Sequence, residues 1–225
     1  MTPVFLSRAL ILAAGLAAAG SAAAQTSGVL VGRLGLTQIR PDVTSGDLTT
    51  PSFVGTKADI EPDTQPTAGL TWFWTDRIAF DLPLAAGFKH DIVGDGAIAG
   101  VGKIGEVKAL PITLLAQFHF GSPTAALRPY LGIGPTYAKF YKARSTAALT
   151  ALTGGTPDDP TTLKMDSKLT VTLQAGLGWR FDRRWGLDVS VTKTPLKTRA
   201  TLSTGQTLDA KVDPWSFSAG VTYRF

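Results

Sequence analysis

The chain contains no cysteine, which excludes a disulfide framework and any thiolate metal site. Histidine is scarce: His90 and His119 are the only two. They lack the spacing to each other or to carboxylates that a metal site needs, so neither metal nor cofactor is expected. His90 stands between Lys89 and Asp91 at the start of an expected long loop, with no serine beside it. A hydrolase built on Ser, His and a carboxylate would have to be assembled from distant segments, and no enzyme is expected. Charged residues make up only 17% of the chain and form no basic tract or recognition helix, so nucleic acid is not an expected partner. After residue 24 no apolar run approaches the roughly 20 residues that a spanning helix needs. A closed barrel of strands remains open to such a chain, because its backbone groups pair internally within the bilayer.

What is present begins with a leader. Arg8 gives a positive start, residues 9–16 form a short apolar core, and Ala22-Ala23-Ala24 offers a small-residue cleavage site before Gln25. This pattern is that of a secretory signal peptide. Residues 1–24 are expected to be removed on export, leaving 25–225 as one domain. Without that leader and its single basic residue the chain keeps 201 of its 225 residues, and a formal charge of +4 instead of +5.

The opposite end alternates. Trp215, Phe217, Ala219, Val221, Tyr223 and Phe225 interleave with Ser216, Ser218, Gly220, Thr222 and Arg224. A strand points successive side chains to opposite faces, so one face here is greasy and the other wet. An aromatic residue closing such a strand is the habit of outer-membrane barrels, and Phe225 is expected to be the assembly signal read by the barrel-assembly machinery. Seven further strands are expected, near 28–40, 66–74, 77–88, 109–120, 128–142, 167–181 and 185–200, with the last over 209–225. Leu169, Val171, Leu173, Ala175, Leu177, Trp179 and Phe181 alternate with Thr170, Thr172, Gln174, Gly176, Gly178 and Arg180, and the other strands repeat the theme. Short connections at 75–76, 121–127 and 182–184 alternate with long polar ones at 41–65, 89–108 and 143–166, and a shorter one at 201–208. The fold class is therefore all-β: an eight-stranded antiparallel transmembrane β-barrel, with short turns and both termini on the periplasmic side. Trp72, Trp74, Phe118, Phe120, Trp179, Phe181, Trp185, Tyr223 and Phe225 gather near the short turns and form the expected aromatic girdle. Phe88, Tyr137, Phe140, Tyr141 and Trp215 mark a weaker girdle at the other end.

Several segments resemble the outer-membrane protein W (OmpW) family. They are Leu70-Thr71-Trp72-Phe73-Trp74 running into Thr75-Asp76-Arg77-Ile78-Ala79, then Phe88-Lys89-His90-Asp91-Ile92, and then residues 110–120 from Leu110-Pro111 to His119-Phe120. Arg128-Pro129-Tyr130-Leu131-Gly132-Ile133-Gly134 and Val212-Asp213-Pro214-Trp215 complete the set. In order, they span nearly the whole mature chain. The resemblance implies an eight-stranded outer-membrane barrel of a Gram-negative bacterium with a narrow, partly apolar lumen and a role in passage of small hydrophobic molecules. Pro111-Ile112 and the long polar stretch 143–166 depart from the family pattern, and both touch the mouth or the wall.

Inward-facing polar residues are expected at Arg33, Asp81, Gln117, His119, Gln174, Arg180, Asp188 and Arg224. They read either as a plug that closes the lumen or as ordinary paired filling of a narrow bore. Inward apolar residues are expected at Val31, Phe73, Ala79, Ala85 and Leu115, as a solute path or as plain packing. Lys139, Lys142, Arg144, Lys164, Lys168, Lys193, Lys197, Arg199 and Lys211 gather toward the long loops, as a solvated rim or as a dock for lipopolysaccharide phosphates. Two functions stay open. One is a conduit for small hydrophobic solutes that leave sideways into the bilayer above a plugged periplasmic end. The other is a filled barrel whose loops serve adhesion or act as a phage or colicin receptor.

Overall fold

The computed structural model describes residues 27–52 and 54–225, so the expected leader lies outside the described residues. Its strands are β1 (Leu30–Arg40), β2 (Thr44–Ser45), β3 (Thr56–Ile60), β4 (Asp63–Phe73), β5 (Ile78–Ala85), β6 (Phe88–Gly96), β7 (Lys103–Thr113) and β8 (Leu115–His119). After them come β9 (Leu127–Ser145), the short helix α1 (Ala147–Leu152), β10 (Leu163–Met165), β11 (Lys168–Arg180), β12 (Trp185–Lys193), β13 (Lys197–Leu202), β14 (Thr207–Lys211) and β15 (Trp215–Arg224). Two of the short turns are fixed by their own side chains. Thr75 Oγ1 accepts from the Ile78 amide at 2.9 Å, and Asp182 Oδ1 accepts from the amides of Arg184 and Trp185 at 2.7 and 2.6 Å. Such turns hold antiparallel neighbours in register over long strands.

The strands close in the order β1, β4, β5, β8, β9, β11, β12, β15 and back to β1, all antiparallel. The closing ladder runs from Val31↔Arg224 to Arg40↔Trp215. Leu34, Leu36, Leu131, Ile133, Leu173, Val189, Phe217 and their like are exposed on the outer face, while polar side chains turn in. A continuous apolar belt of this kind is stable only against lipid. Trp72, Trp74, Phe118, Phe120, Trp179, Phe181, Trp185 and Phe225 are exposed at one rim, and Tyr223 packs edge-on between Trp185 and Phe225 at 4.9 and 5.1 Å.

The long connections differ from the expected polar loops. β7 begins at Lys103, six residues before the expected strand, and β6 pairs with it, so the wall rises well past the barrel. β10, β13, β14 and β2 form a second, four-stranded sheet. The expected strands over 185–200 and 209–225 each break at this junction, before Pro195 and Pro214, which supply no amide for a ladder, and Asp213 turns with φ 31°. Leu48, Ile92, Ile98, Ile104, Leu149, Met165, Leu202 and Leu208 meet in one apolar core above the barrel, with Thr146 capping α1 through the Leu149 amide. The connections therefore fold into a cap. Charge on the outer face marks where the membrane ends: Lys89 and Lys103 bind Glu106 at 2.9 Å each, and Lys103 also binds Asp91 at 2.8 Å. Those two lysines hold the Glu106 carboxyl down to about 2.

The second girdle is also corrected. Tyr137 and Trp215 are exposed, whereas Phe88 is buried and Phe140 packs against the cap core. Gly87 causes this change of face. Its φ of 101° interrupts the alternation, and a side chain there would collide with the Tyr141 hydroxyl.

His90 belongs to β6 and is buried, not at the start of a loop; its Nδ1 lies 2.8 Å from the Glu61 carbonyl. Burial pushes its imidazole below the ordinary 6.5, with the Glu61 bond opposing. The unfolded cap then binds more protons than the folded one, so the His90 contribution is lost as pH falls through about 6.5. Hydrogen exchange at 56–60 and 88–96, corrected for intrinsic rates, is expected to rise between about pH 7 and about pH 5. His90→Gln should flatten that rise; an unchanged rise in the variant would assign the effect elsewhere.

Candidate functional site

The bore is crossed by one polar layer. Arg33 of β1 donates to Asp188 of β12 at 3.0 Å and to Asp81 of β5 at 3.3 Å. Asp81 also accepts from Thr71 of β4 at 2.6 Å, and Tyr130 of β9 donates to both carboxylate oxygens of Asp188 at 3.1 and 3.0 Å. Five strands thus meet at one guanidinium and two carboxylates. Asp81 is fully buried, and such charges persist in a narrow interior only as paired, hydrogen-bonded groups. Adjoining this layer, Gln117 Nε2 donates to Gln174 Oε1 at 2.8 Å, and Gln117 Oε1 lies 3.0 Å from His119 Nε2. His119 stacks on Tyr130 at 4.8 Å and meets the Phe73 ring at 4.7 Å with a 52° tilt.

Glycine makes room for this packing. Gly132 lies in register between Gln117 and Gln174, and a Cβ there would come within 2.8 Å of Gln174 Oε1. Gly69 does the same beside Arg33, at 2.9 Å from Nη2. Without side chains at these two points, neighbouring strands can reach across them.

Above the layer lies a cavity of about 120 Å³, bounded by Arg33 and Leu115 below and by Phe88, Val107, Phe140 and Leu196 toward the cap. Its waist carries hydroxyls that bond one another: Thr37 to Thr67 and Ser218 at 2.9 Å each, and Thr113–Thr136–Thr172–Thr194 at 2.8, 2.6 and 2.8 Å. Mutual pairing leaves these hydroxyls no demand on a solute. A separate cavity of about 70 Å³ lies within the cap core, and Ile60 lines both. Below the layer a third cavity, again about 120 Å³, opens toward the short turns.

The expected inward residues all meet the lumen, though not in one place. Ala85 and Leu115 line the upper chamber; Val31 and Phe73 line the lower one; Ala79 is fully buried at the level of Gln117, its ladder partner. Arg33, Asp81, Asp188, Gln117, Gln174 and His119 form the connected centre. Arg180 and Arg224 lie below it, where Arg180 donates to the carbonyls of Pro123, Thr124 and Ala125 at 3.3, 2.5 and 3.3 Å. Sequence reasoning missed Tyr130 and the hydroxyl belt. The signal was available, since Tyr130 occupies the alternation face opposite Leu131 and Ile133. Of the basic rim, Lys168, Lys193, Arg199 and Lys211 are paired with Asp166, Asp42, Asp209 and Asp213.

The wall beside the upper chamber has a seam. β5 pairs with β8 only from Ile78↔Phe118 to Asp81↔Leu115. Among the described residues no ladder joins Leu82–Ala85 to Leu110–Thr113, which pair on their other sides with β4 and β9. Pro83 and Pro111, lacking amide donors, flank the seam and line the chamber. Leu114 leaves the strand at this level and donates to the Pro135 carbonyl at 3.2 Å.

Known proteins are similar to this chain in sequence and in architecture. The model of the OmpW family matches residues 26–225. Outer membrane protein W of Salmonella typhimurium is 32% identical over 209 residues, covering 92% of each chain. The protein of that name from Vibrio cholerae is 29% identical over 208 residues, covering 90% of this chain and 91% of its own. The crystal structure of the outer membrane protein OprG from Pseudomonas aeruginosa superposes with a TM-score of 0.77 at 25% identity, over 88% of this chain and 96% of that one. All three are outer-membrane proteins by name.

Proposed function

The chain belongs to the OmpW family and resides in the outer membrane of a Gram-negative bacterium, and from that premise we propose that it is a narrow conduit for small hydrophobic molecules, with lateral exit into the bilayer. The observation that carries this reading is the upper chamber: apolar toward the cap, floored by the Arg33 layer, and bordered by a wall without ladder bonds at Pro83 and Pro111. A solute enters through the cap past Ile60 and rests among Phe88, Val107 and Phe140. It cannot cross a floor of paired charges cheaply, because passage would separate buried ions from their partners. The seam offers an apolar way out, since Leu84 and Ile112 beside it are exposed to lipid.

The test is uptake of a fluorescent hydrophobic probe by vesicles carrying the refolded protein, against protein-free vesicles. Leu115→Arg places an unpaired charge in the chamber floor and is expected to return uptake to the protein-free level. Folding of the variant is confirmed by heat-modifiable migration. Equal uptake by wild type, variant and empty vesicles would instead favour a closed scaffold that acts through its cap.

A further inference from the structure

The lower chamber carries charge that the conduit does not use. Arg128, Arg180, Arg184 and Arg224 line this cavity of about 120 Å³, and the only carboxylate lining it, Asp188, is already bound to Arg33 and Tyr130. Arg128 is nine-tenths buried, and its Nε has no hydrogen-bond partner, the single buried side-chain nitrogen or oxygen so left among the described residues. Its Nη2 donates to the Asp76 carbonyl at 2.6 Å, and its guanidinium stacks 5.6 Å from the Phe73 ring centroid, so the side chain is held while Nε goes unsatisfied. Arg180, Arg224 and Arg77 are its cationic neighbours, and no hydrogen bond of the Arg224 guanidinium is formed among the described residues. Asp76, on the rim, is the one acid acting on Arg128.

A buried donor left unpaired beside uncompensated like charges is costly, and a bound oxyanion removes both costs together. We propose that the periplasmic mouth is an oxyanion-binding site, in which Arg128 Nε and the Arg224 guanidinium hold a phosphate group while Arg180 keeps the 121–127 turn folded and adds its charge. The phosphate comes either from solution in the periplasm or from a lipid headgroup of the inner leaflet. The site lies on the far side of the Arg33 layer from the solute chamber, so it stands or falls independently of the conduit.

The experiment uses the full mature chain, refolded in maltoside micelles that contain no phosphate, with arginine side chains labelled by ¹⁵N. Inorganic phosphate is titrated in one arm and a lysophosphatidic acid in the other, with sodium chloride at matched ionic strength as control. A saturable shift of the Arg128 Nε–Hε resonance in either arm, absent with chloride, supports the site, and the arm with the lower half-saturation identifies the source. Arg224→Gln is expected to raise that half-saturation roughly tenfold, the usual effect of losing one charged hydrogen bond. Arg183→Gln, exposed on a short turn and outside the chamber lining, should leave it within about twofold. No saturable shift in either arm, the same shift with chloride, or an unchanged half-saturation in folded Arg224→Gln would overturn the proposal.

Discussion

Replacing Arg33 with leucine is expected to destabilise the folded barrel by about 3–5 kcal/mol, the usual cost of leaving a buried ion without its partner. The reason is specific to this bore. Asp81 has no exposure and Asp188 little, and both carboxylates face the same guanidinium at 3.3 and 3.0 Å. With Arg33 gone, two negative charges remain in a narrow interior, with only the Thr71 and Tyr130 hydroxyls to satisfy them. Removing all three charges is a different experiment. Arg33→Leu combined with Asp81→Asn and Asp188→Asn leaves no unpaired ion and is expected to recover most of the loss. Unfolding in urea, followed by tryptophan fluorescence in lipid vesicles, reads both variants. If the single and triple variants unfold at the same midpoint, the charges are not coupled and the layer is simple filling. A second readout separates closure from stability: in planar bilayers the triple variant is expected to stay non-conducting, because Tyr130, Gln117, Gln174 and His119 still fill the bore.

The sequence makes the barrel legible and hides the cap, for one physical reason. A strand between lipid and lumen must alternate with a period of two, so Leu169 to Phe181 and Trp215 to Phe225 disclose both their conformation and their faces. The cap obeys no such rule. Its core takes Leu48, Ile98, Leu149, Leu202 and Leu208 from five separate segments, none of which carries a long period-two alternation. Read alone, such segments look like polar loops, and only their meeting over the barrel gives them structure. The same limit applies inside the bore. Alternation places Arg33, Asp81, Gln117, Gln174 and Asp188 inward, but not that a glycine at 132 lets two glutamines bond across it. Nor does it show that Tyr130 joins Asp188 rather than packing on its own, since that bond spans 58 residues of chain. The faces follow from local sequence; the partners follow from closure and strand register.

The largest functional effect is expected at the seam. The ladder register of β5 and β8, continued upward, sets Leu84 opposite Ile112, where the two strands share no described hydrogen bonds. Both side chains are exposed on the outer face, at 43% and 50%, and neither touches the Arg33 layer, while Leu84 also borders the upper chamber. The chain has no cysteine of its own, which makes Leu84→Cys with Ile112→Cys a clean pair for a cleavable thiol cross-linker. Once linked, the wall cannot part at Pro83 and Pro111, while the cap and the floor are untouched and the single-cysteine variants control for the change at Leu84 in the chamber lining. Uptake of the hydrophobic probe is then expected to fall to the protein-free level and to return when the link is cleaved. Each single-cysteine variant treated with the same reagent should transport like wild type. A cross-linked barrel that still carries the probe would mean that the solute leaves by another path. Combining the link with the triple Arg33–Asp81–Asp188 substitution decides which: uptake that rises in the combination points through the floor, and uptake that the substitution leaves unchanged points to a different part of the wall.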